Sequence, residues 1–169
     1  MNLEPVRSCL HVHLGTAVNA AFIYGSVAAR RNGPGSDLDC FVLTQRDLGQ
    51  DELRRTNAAF ASLQKKLGFT PDPAYPVELF SIHACRTILS DPALDQILTN
   101  ATTTGIEPDI VQSDQVEVLR ALLDRRLVVQ HSTCLDVLTA QAQLLVRRTL
   151  PHQTAWRRAL GLRPAEVAT

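Results

Sequence analysis

The chain has 169 residues, 45% of them hydrophobic and 20% charged, with 17 basic residues balancing 17 acidic ones. That composition excludes a disordered chain, which is poor in apolar residues and far from neutral, and it argues against a dedicated nucleic-acid binder, which carries an excess of base. The balance is uneven, since residues 1–111 hold nine Lys and Arg against twelve Asp and Glu, and residues 112–169 hold eight against five.

No apolar run approaches the length of a membrane span. Near the N-terminus, Glu4, Arg7, His11 and His13 interrupt the apolar stretch that a signal peptide requires. Cys9, Cys40, Cys85 and Cys134 are scattered without paired spacing, so reduced thiols are expected rather than a disulfide framework or a zinc site. A cytoplasmic protein with no membrane segment is expected.

Taken in order, Val6, Leu10, Leu14 and Val18 recur at helical spacing and predict a first helix over residues 3–18. Ala21-Phe22-Ile23-Tyr24 predicts a short buried strand, ended by Gly25-Ser26. Asn32-Gly33-Pro34-Gly35-Ser36 is a cluster of turn formers. Asp37-Leu38-Asp39 then opens a second strand that continues through Cys40-Phe41-Val42-Leu43. Residues two apart in a strand share a face, which sets Asp37 and Asp39 side by side. Two carboxylates so placed repel, and a hard divalent cation reverses the sign of the problem because it needs both oxygens. The Gly25-Ser26 turn offers free backbone N–H groups and a hydroxyl, an anion-binding lip facing the same place. Metal-binding oxygens beside a phosphate cradle point to chemistry on a nucleoside triphosphate.

A second helix is predicted over residues 47–67, with Leu53, Ala58, Phe60, Ala61, Leu63 and Leu67 on its apolar side and Gly68 as its cap. Three prolines make residues 70–76 a loop. Residues 77–82 predict a third strand, in which Glu78 stands out: an acid among apolar strand neighbours is costly unless it has a partner, and a metal held by Asp37 and Asp39 would be one. His83 ends this strand; there, as at His11 and His13, which lie two apart and share no helical face, a structural or surface role is expected. Further helices are predicted over residues 91–100, 112–129, 132–149 and 152–160, with residues 101–109 as a linker and an αα-hairpin turning at Gln130-His131. Arg147, Arg148, Arg157 and Arg158 with Trp156 form a basic, aromatic cluster that suits a solvated helix face or contact with an acidic partner.

The run Gly25-Ser26, ten residues, then Asp37-Leu38-Asp39 resembles the GS…DxD signature of the DNA polymerase beta nucleotidyltransferase superfamily, and Gly33-Pro34-Gly35-Ser36 is similar to the PxSD approach of minimal and aminoglycoside nucleotidyltransferases. The resemblance covers roughly residues 20–83. Small members often carry a basic residue three positions after the motif serine; here that position is Ala29, and the arginines fall at Arg30 and Arg31. The resemblance implies a third carboxylate from a later strand, the place Glu78 occupies, where the family more often has aspartate. An ordinary hairpin whose aspartates cap turns would use the same residue types; the spacing, the flanking strands and the third acid together favour the site.

These observations predict an α/β (α+β) fold: a small mixed sheet of the nucleotidyltransferase type, built on the strands near Ala21, Asp39 and Leu79 and packed by helices, followed by a C-terminal helical bundle. A catalytic domain over residues 1–109 and a helical region over residues 110–169 are expected. The expected activity is metal-dependent transfer of a nucleoside monophosphate from a triphosphate to an acceptor hydroxyl or phosphate, on a small molecule or a protein. Asp37, Asp39 and Glu78 are the expected catalytic residues and the ligands of two magnesium ions. Gly25, Ser26, Arg30, Arg31 and Ser36 are the expected nucleotide contacts. Two alternatives stand beside this: an antitoxin-like minimal nucleotidyltransferase subunit that binds or modifies a helical toxin partner, and a nucleotide-binding protein with little turnover. An exposed apolar face on the C-terminal helices would favour the first alternative.

Overall fold

The computed structural model describes residues 1–94 and 114–148. The chain divides into two compact units, the first formed by Met1–Ala84 and Arg125–Leu135, the second including the described residues 85–94, 114–124 and 136–148.

The first unit is a mixed α+β layer. Helix α1 (Glu4–Leu14) leads through a short 3-10 turn (Gly15–Ala17) into strand β1 (Val18–Ile23). One helical turn, α2 (Gly25–Ala28), and a loop separate it from β2 (Cys40–Thr44). Helix α3 (Gln50–Lys66) then crosses to β3 (Glu78–Ser81), which runs directly into α4 (Ile82–Leu89). Helix α5 (Asp114–Leu123), strand β4 (Leu127–Gln130) and helix α6 (Thr133–Arg148) complete the described chain.

The sheet order is β3-β2-β1-β4. β1 is antiparallel to both β2 and β4, and β2 is parallel to β3, with Phe41 opposite Glu78 and Leu43 opposite Phe80. Alternation gives the sheet two chemically distinct faces. Ala21, Ile23, Cys40, Val42, Leu79 and Val129 pack with Val6, Leu10 and Leu14 of α1 and Phe60 of α3. On the opposite face the rings of Phe22, Phe41 and Phe80 stack in sequence, 5.2 and 5.4 Å apart, with Arg126 over Phe22 at 5.4 Å. Such offset pairs add to the burial that each ring already supplies.

Helix α3 ends in a complete Schellman motif: Gly68, at φ 84°, donates its N–H to the Lys65 carbonyl and Phe69 donates to Gln64. Only glycine adopts that backbone without strain, so the predicted cap at Gly68 holds. The inward stripe of α3 differs from the apolar one read off the sequence. Thr56, Phe60 and Gln64 are buried, whereas Ala58 and Leu67 are exposed. Periodicity places 56, 60 and 64 on one face, and two of the three are polar.

A larger expectation is overturned. Residues 112–129 do not form one helix, nor is there an αα-hairpin about Gln130-His131: α5 stops at Leu123, and residues 127–130 are the edge strand β4. The β-branched pair Val128-Val129 favours strand, and the β1 edge supplies backbone partners. Arg7 of α1 donates through Nε and Nη2 to the Val129 carbonyl at 3.2 and 2.9 Å, and Gln130 Nε2 donates to the Val18 carbonyl. These long-range bonds outweigh a local helical period.

In the second unit Cys85, Leu94, Val116, Val118, Leu119, Leu122, Leu138 and Ala142 are buried, and Gln115 Nε2 donates to Asp91 Oδ2 at 2.7 Å. Cys9, Cys40, Cys85 and Cys134 are free thiols; burial pushes the Cys85 thiol up to about 12. The expectations for residues 101–109 and 152–160, for most of 91–100, and for Trp156, Arg157 and Arg158 lie outside the described residues, as do the side chains of Arg147 and Arg148.

Candidate functional site

The site forms where β1 and β2 leave the sheet. Tyr24 donates its backbone N–H to the Asp39 carbonyl at 3.1 Å, which carries the β1–β2 pairing one step past the strands. Gly25 then turns the chain at φ 64°, a conformation that side-chain-bearing residues rarely adopt. A second reason forces glycine here. A Cβ at this position would be driven into the Asp39 carboxyl, 2.8 Å from its Cγ and 3.3 Å from its Cβ. The Asp39 side chain therefore lies directly against the Gly25 backbone, so the turn and the acid that the sequence set fourteen positions apart are one structure.

Ser26 follows within α2. Its Oγ is buried and has no hydrogen-bond partner. A buried hydroxyl without a partner costs stability; among the described residues Thr56 Oγ1 and Asn57 Oδ1 share that condition, and Gly25 and Ser26 lie beside Asp39 without lining the cleft that Asp39 borders.

Asp37, Leu38 and Asp39 are not the first residues of β2, which begins at Cys40, yet they keep the strand's alternation. Leu38 and Cys40 are buried while Asp37 and Asp39 are partly exposed. The Cys40 thiol is raised far above its usual range, chiefly by burial, with Cys9 and the Asp39 carboxylate adding to the effect; it is held as a neutral core group. Glu78 opens β3 and is partly exposed. A cleft is lined by Asp37, Asp39 and Glu78 together with Tyr24, Gln64 and Tyr75, so the three acids singled out from sequence border the same cleft.

The remaining predicted contacts are placed less directly. Arg30 and Arg31 are exposed in the loop after α2, Arg30 at φ 56°, and neither lines the cleft. Ser36 closes the glycine-proline turn on itself: its Oγ accepts the Gly33 N–H at 2.9 Å and its backbone N–H donates to the Gly33 carbonyl. His11, His13 and His83 are exposed and outside the cleft.

Two residues escaped the sequence reading. Gln64 is buried under the cleft, where its Oε1 accepts the Leu38 N–H at 2.8 Å and its Nε2 donates to the Pro76 carbonyl at 2.7 Å. Its place on the stripe of Thr56 and Phe60 was the available signal. Asp72 also lines the cleft, and its Oδ1 accepts the N–H groups of Ala74 and Tyr75, an Asx turn that presents the exposed Tyr75 ring at the rim.

Among the described residues, no group of three or more His, Cys, Asp and Glu is gathered closely enough to hold a metal ion by itself. Magnesium seldom needs such a cage: it takes one or two carboxylates and completes its shell with water and substrate phosphate. Carboxylate oxygens are the right donors for it, and the partnerless Ser26 hydroxyl beside a glycine that admits no side chain fits an adjoining phosphate. The residues present therefore fit magnesium when it arrives with a triphosphate.

No protein-family model matches the chain, and no curated protein matches it. Two solved structures are similar over 95% of both chains: a toxin–antitoxin with AMP-PNP, at 15% identity and a TM-score of 0.45, and a mutant of the toxin–antitoxin MntA–HpeT, at 14% identity and 0.44. Likeness at that level leaves the chemistry to the residues of this chain. Among the described residues, no helix is long and apolar enough to cross a membrane.

Proposed function

We propose that this chain is a magnesium-dependent nucleotidyltransferase that moves a nucleoside monophosphate from a triphosphate to an acceptor hydroxyl or phosphate. The observation that carries the reading is the packing of the Asp39 carboxyl on Gly25, next to a buried Ser26 Oγ with no partner. That packing supports reading a cation ligand beside a phosphate cradle.

In this reading Asp37 and Asp39 hold the magnesium ions, and the Gly25-Ser26 turn binds the outer phosphates through backbone N–H and Oγ. Bound magnesium would neutralise the triphosphate and make the acceptor oxygen easier to deprotonate. Glu78 takes the acceptor proton on its carboxylate as the acceptor oxygen forms its bond to the α-phosphorus and the bond to pyrophosphate breaks. Arg30 and Arg31, exposed on the loop after the cradle, would meet the departing phosphate, and Ser36 shapes the loop that delivers Asp37. Most of the rate enhancement comes from positioning and charge neutralisation.

One observation favours the antitoxin-like alternative. Val137 and Leu144 of α6, seven residues apart and so on one helical face, are 50% and 53% exposed. A protein acceptor or partner docking there would be compatible with the same nucleotide site.

The test is a thermal-shift panel of the four ribonucleoside triphosphates, each with and without magnesium. A ligand of the native state raises its apparent stability by mass action. A magnesium-dependent rise with at least one triphosphate is expected; the absence of any rise across the panel would overturn the reading.

A further inference from the structure

Gln64 is 1% exposed and sits on the core-facing stripe of α3, two helical turns from Thr56 and one from Phe60. A leucine there would pack as well and favour the helix slightly more. The amide is kept because both of its ends are used. Oε1 accepts from Leu38, the residue between the two aspartates, and Nε2 donates to Pro76, two residues before Glu78.

The β2–β3 ladder begins at Phe41 opposite Glu78. Upstream of that pair the two backbones diverge from regular pairing, and Pro76 has no N–H to offer. Gln64 bridges this gap: its planar amide holds a donor on one segment and an acceptor on the other at a fixed separation. Asp39 is tied from the other side by the Tyr24 N–H. We infer that Gln64 is a positioning residue that sets the distance between the Asp37–Asp39 pair and Glu78, and so decides whether all three carboxylates address one bound metal–phosphate group. The inference rests on the proposed function and names the device that makes its site geometry.

The experiment uses the full chain, labelled with ¹⁵N, and a base-independent probe: Mn²⁺ with inorganic tripolyphosphate. Manganese shares magnesium's preference for carboxylate and phosphate oxygen, and it broadens amide signals near it. In the unaltered chain, amides 37–40 and 77–79 should both broaden, and the Leu38 amide should exchange as slowly as that of Val42. Gln64→Met keeps the volume and removes both bonds. Broadening should persist at 37–40 and weaken at 77–79 relative to 37–40, since it falls with the inverse sixth power of distance, and transfer should fall by roughly 10²-fold in kcat with little change in KM, as expected for reacting groups displaced by about 1 Å. Gln64→Glu keeps the acceptor for Leu38 but loses the donor for Pro76, and should show the same relative weakening at 77–79. Leu63→Ala, which destabilises the same helix and leaves both Gln64 bonds in place, should change neither pattern. Unchanged broadening in both Gln64 variants, or rapid exchange at Leu38 in the unaltered chain, overturns the inference while leaving the proposed function standing. No broadening anywhere in the unaltered chain overturns both.

Discussion

Two turns of this molecule are made from similar materials and reach opposite ends. At the start of α3, Gly49 donates its N–H to Glu52 Oε2 at 3.0 Å, and Arg46 grips the same carboxylate at 2.7 and 2.9 Å. It is half of a capping box, since Gly49 has no side chain to return the bond. Every oxygen of Glu52 is spoken for, and the charge sits at the helix N-terminus, where the backbone dipoles favour it. At the start of α2, Gly25 meets Asp39 and Ser26, and the serine hydroxyl has no partner. The first turn spends its polar groups on stability. The second leaves one unpartnered, and the proposed function assigns a ligand oxygen to it.

Breaking the second turn should therefore cost binding, and breaking the first should cost only stability. The largest effect is expected from Asp37→Asn with Asp39→Asn. The double variant should lose magnesium-dependent triphosphate binding in calorimetry and keep the circular dichroism of the parent; binding equal to the parent would refute the metal assignment. Next comes Glu78→Gln, which should leave triphosphate affinity nearly unchanged and lower transfer by roughly 10²-fold or more, the range for loss of a positioned proton acceptor. Such a loss is confined to the transition state, and turnover equal to the parent would remove Glu78 from the mechanism.

Ser26→Ala separates the two turns most cleanly. Deleting an unpartnered buried hydroxyl should leave thermal stability unchanged or slightly higher, whereas triphosphate binding should weaken by about 1.5–3 kcal/mol, the worth of one hydrogen bond to a charged group. A fall in stability without a fall in affinity would make this an ordinary structural turn. The smallest effect is expected at the first turn. The Arg46 hydrogen bond, helped by the Gly49 N–H, holds the Glu52 carboxyl down to about 2, against an ordinary 4.5. Because the folded-state value is depressed, its stabilisation is present above about 4.5 and is lost as the pH falls toward 2. Stability followed over that window should decline less steeply in Glu52→Gln than in the parent, with triphosphate affinity equal in the two at neutral pH.

The sequence by itself determined the pieces whose cause is local. Apolar runs and turn formers marked β1, β2 and β3, since strand, turn and cap preferences act over a few residues. Gly68 announced its cap, because the left-handed backbone there selects glycine. The order Gly25, Ser26, Asp37, Asp39 and the misfit of Glu78 in an apolar strand were enough to nominate three acids that one cleft brings together. What depends on distant chain was not legible. Residues 127–130 carry a helical period in one dimension and become a strand because β1 has an edge to fill and Arg7 a carbonyl to find. Gln64 shares a helical face with Phe60, but its role appears only once two loops, 26 residues before it and 12 after it, supply its partners. The second reason for Gly25, the carboxylate resting on its Cα, exists only after β1 and β2 have paired. Local propensity is set by a residue and its neighbours in sequence; the worth of a buried polar group is set by what the fold brings to it.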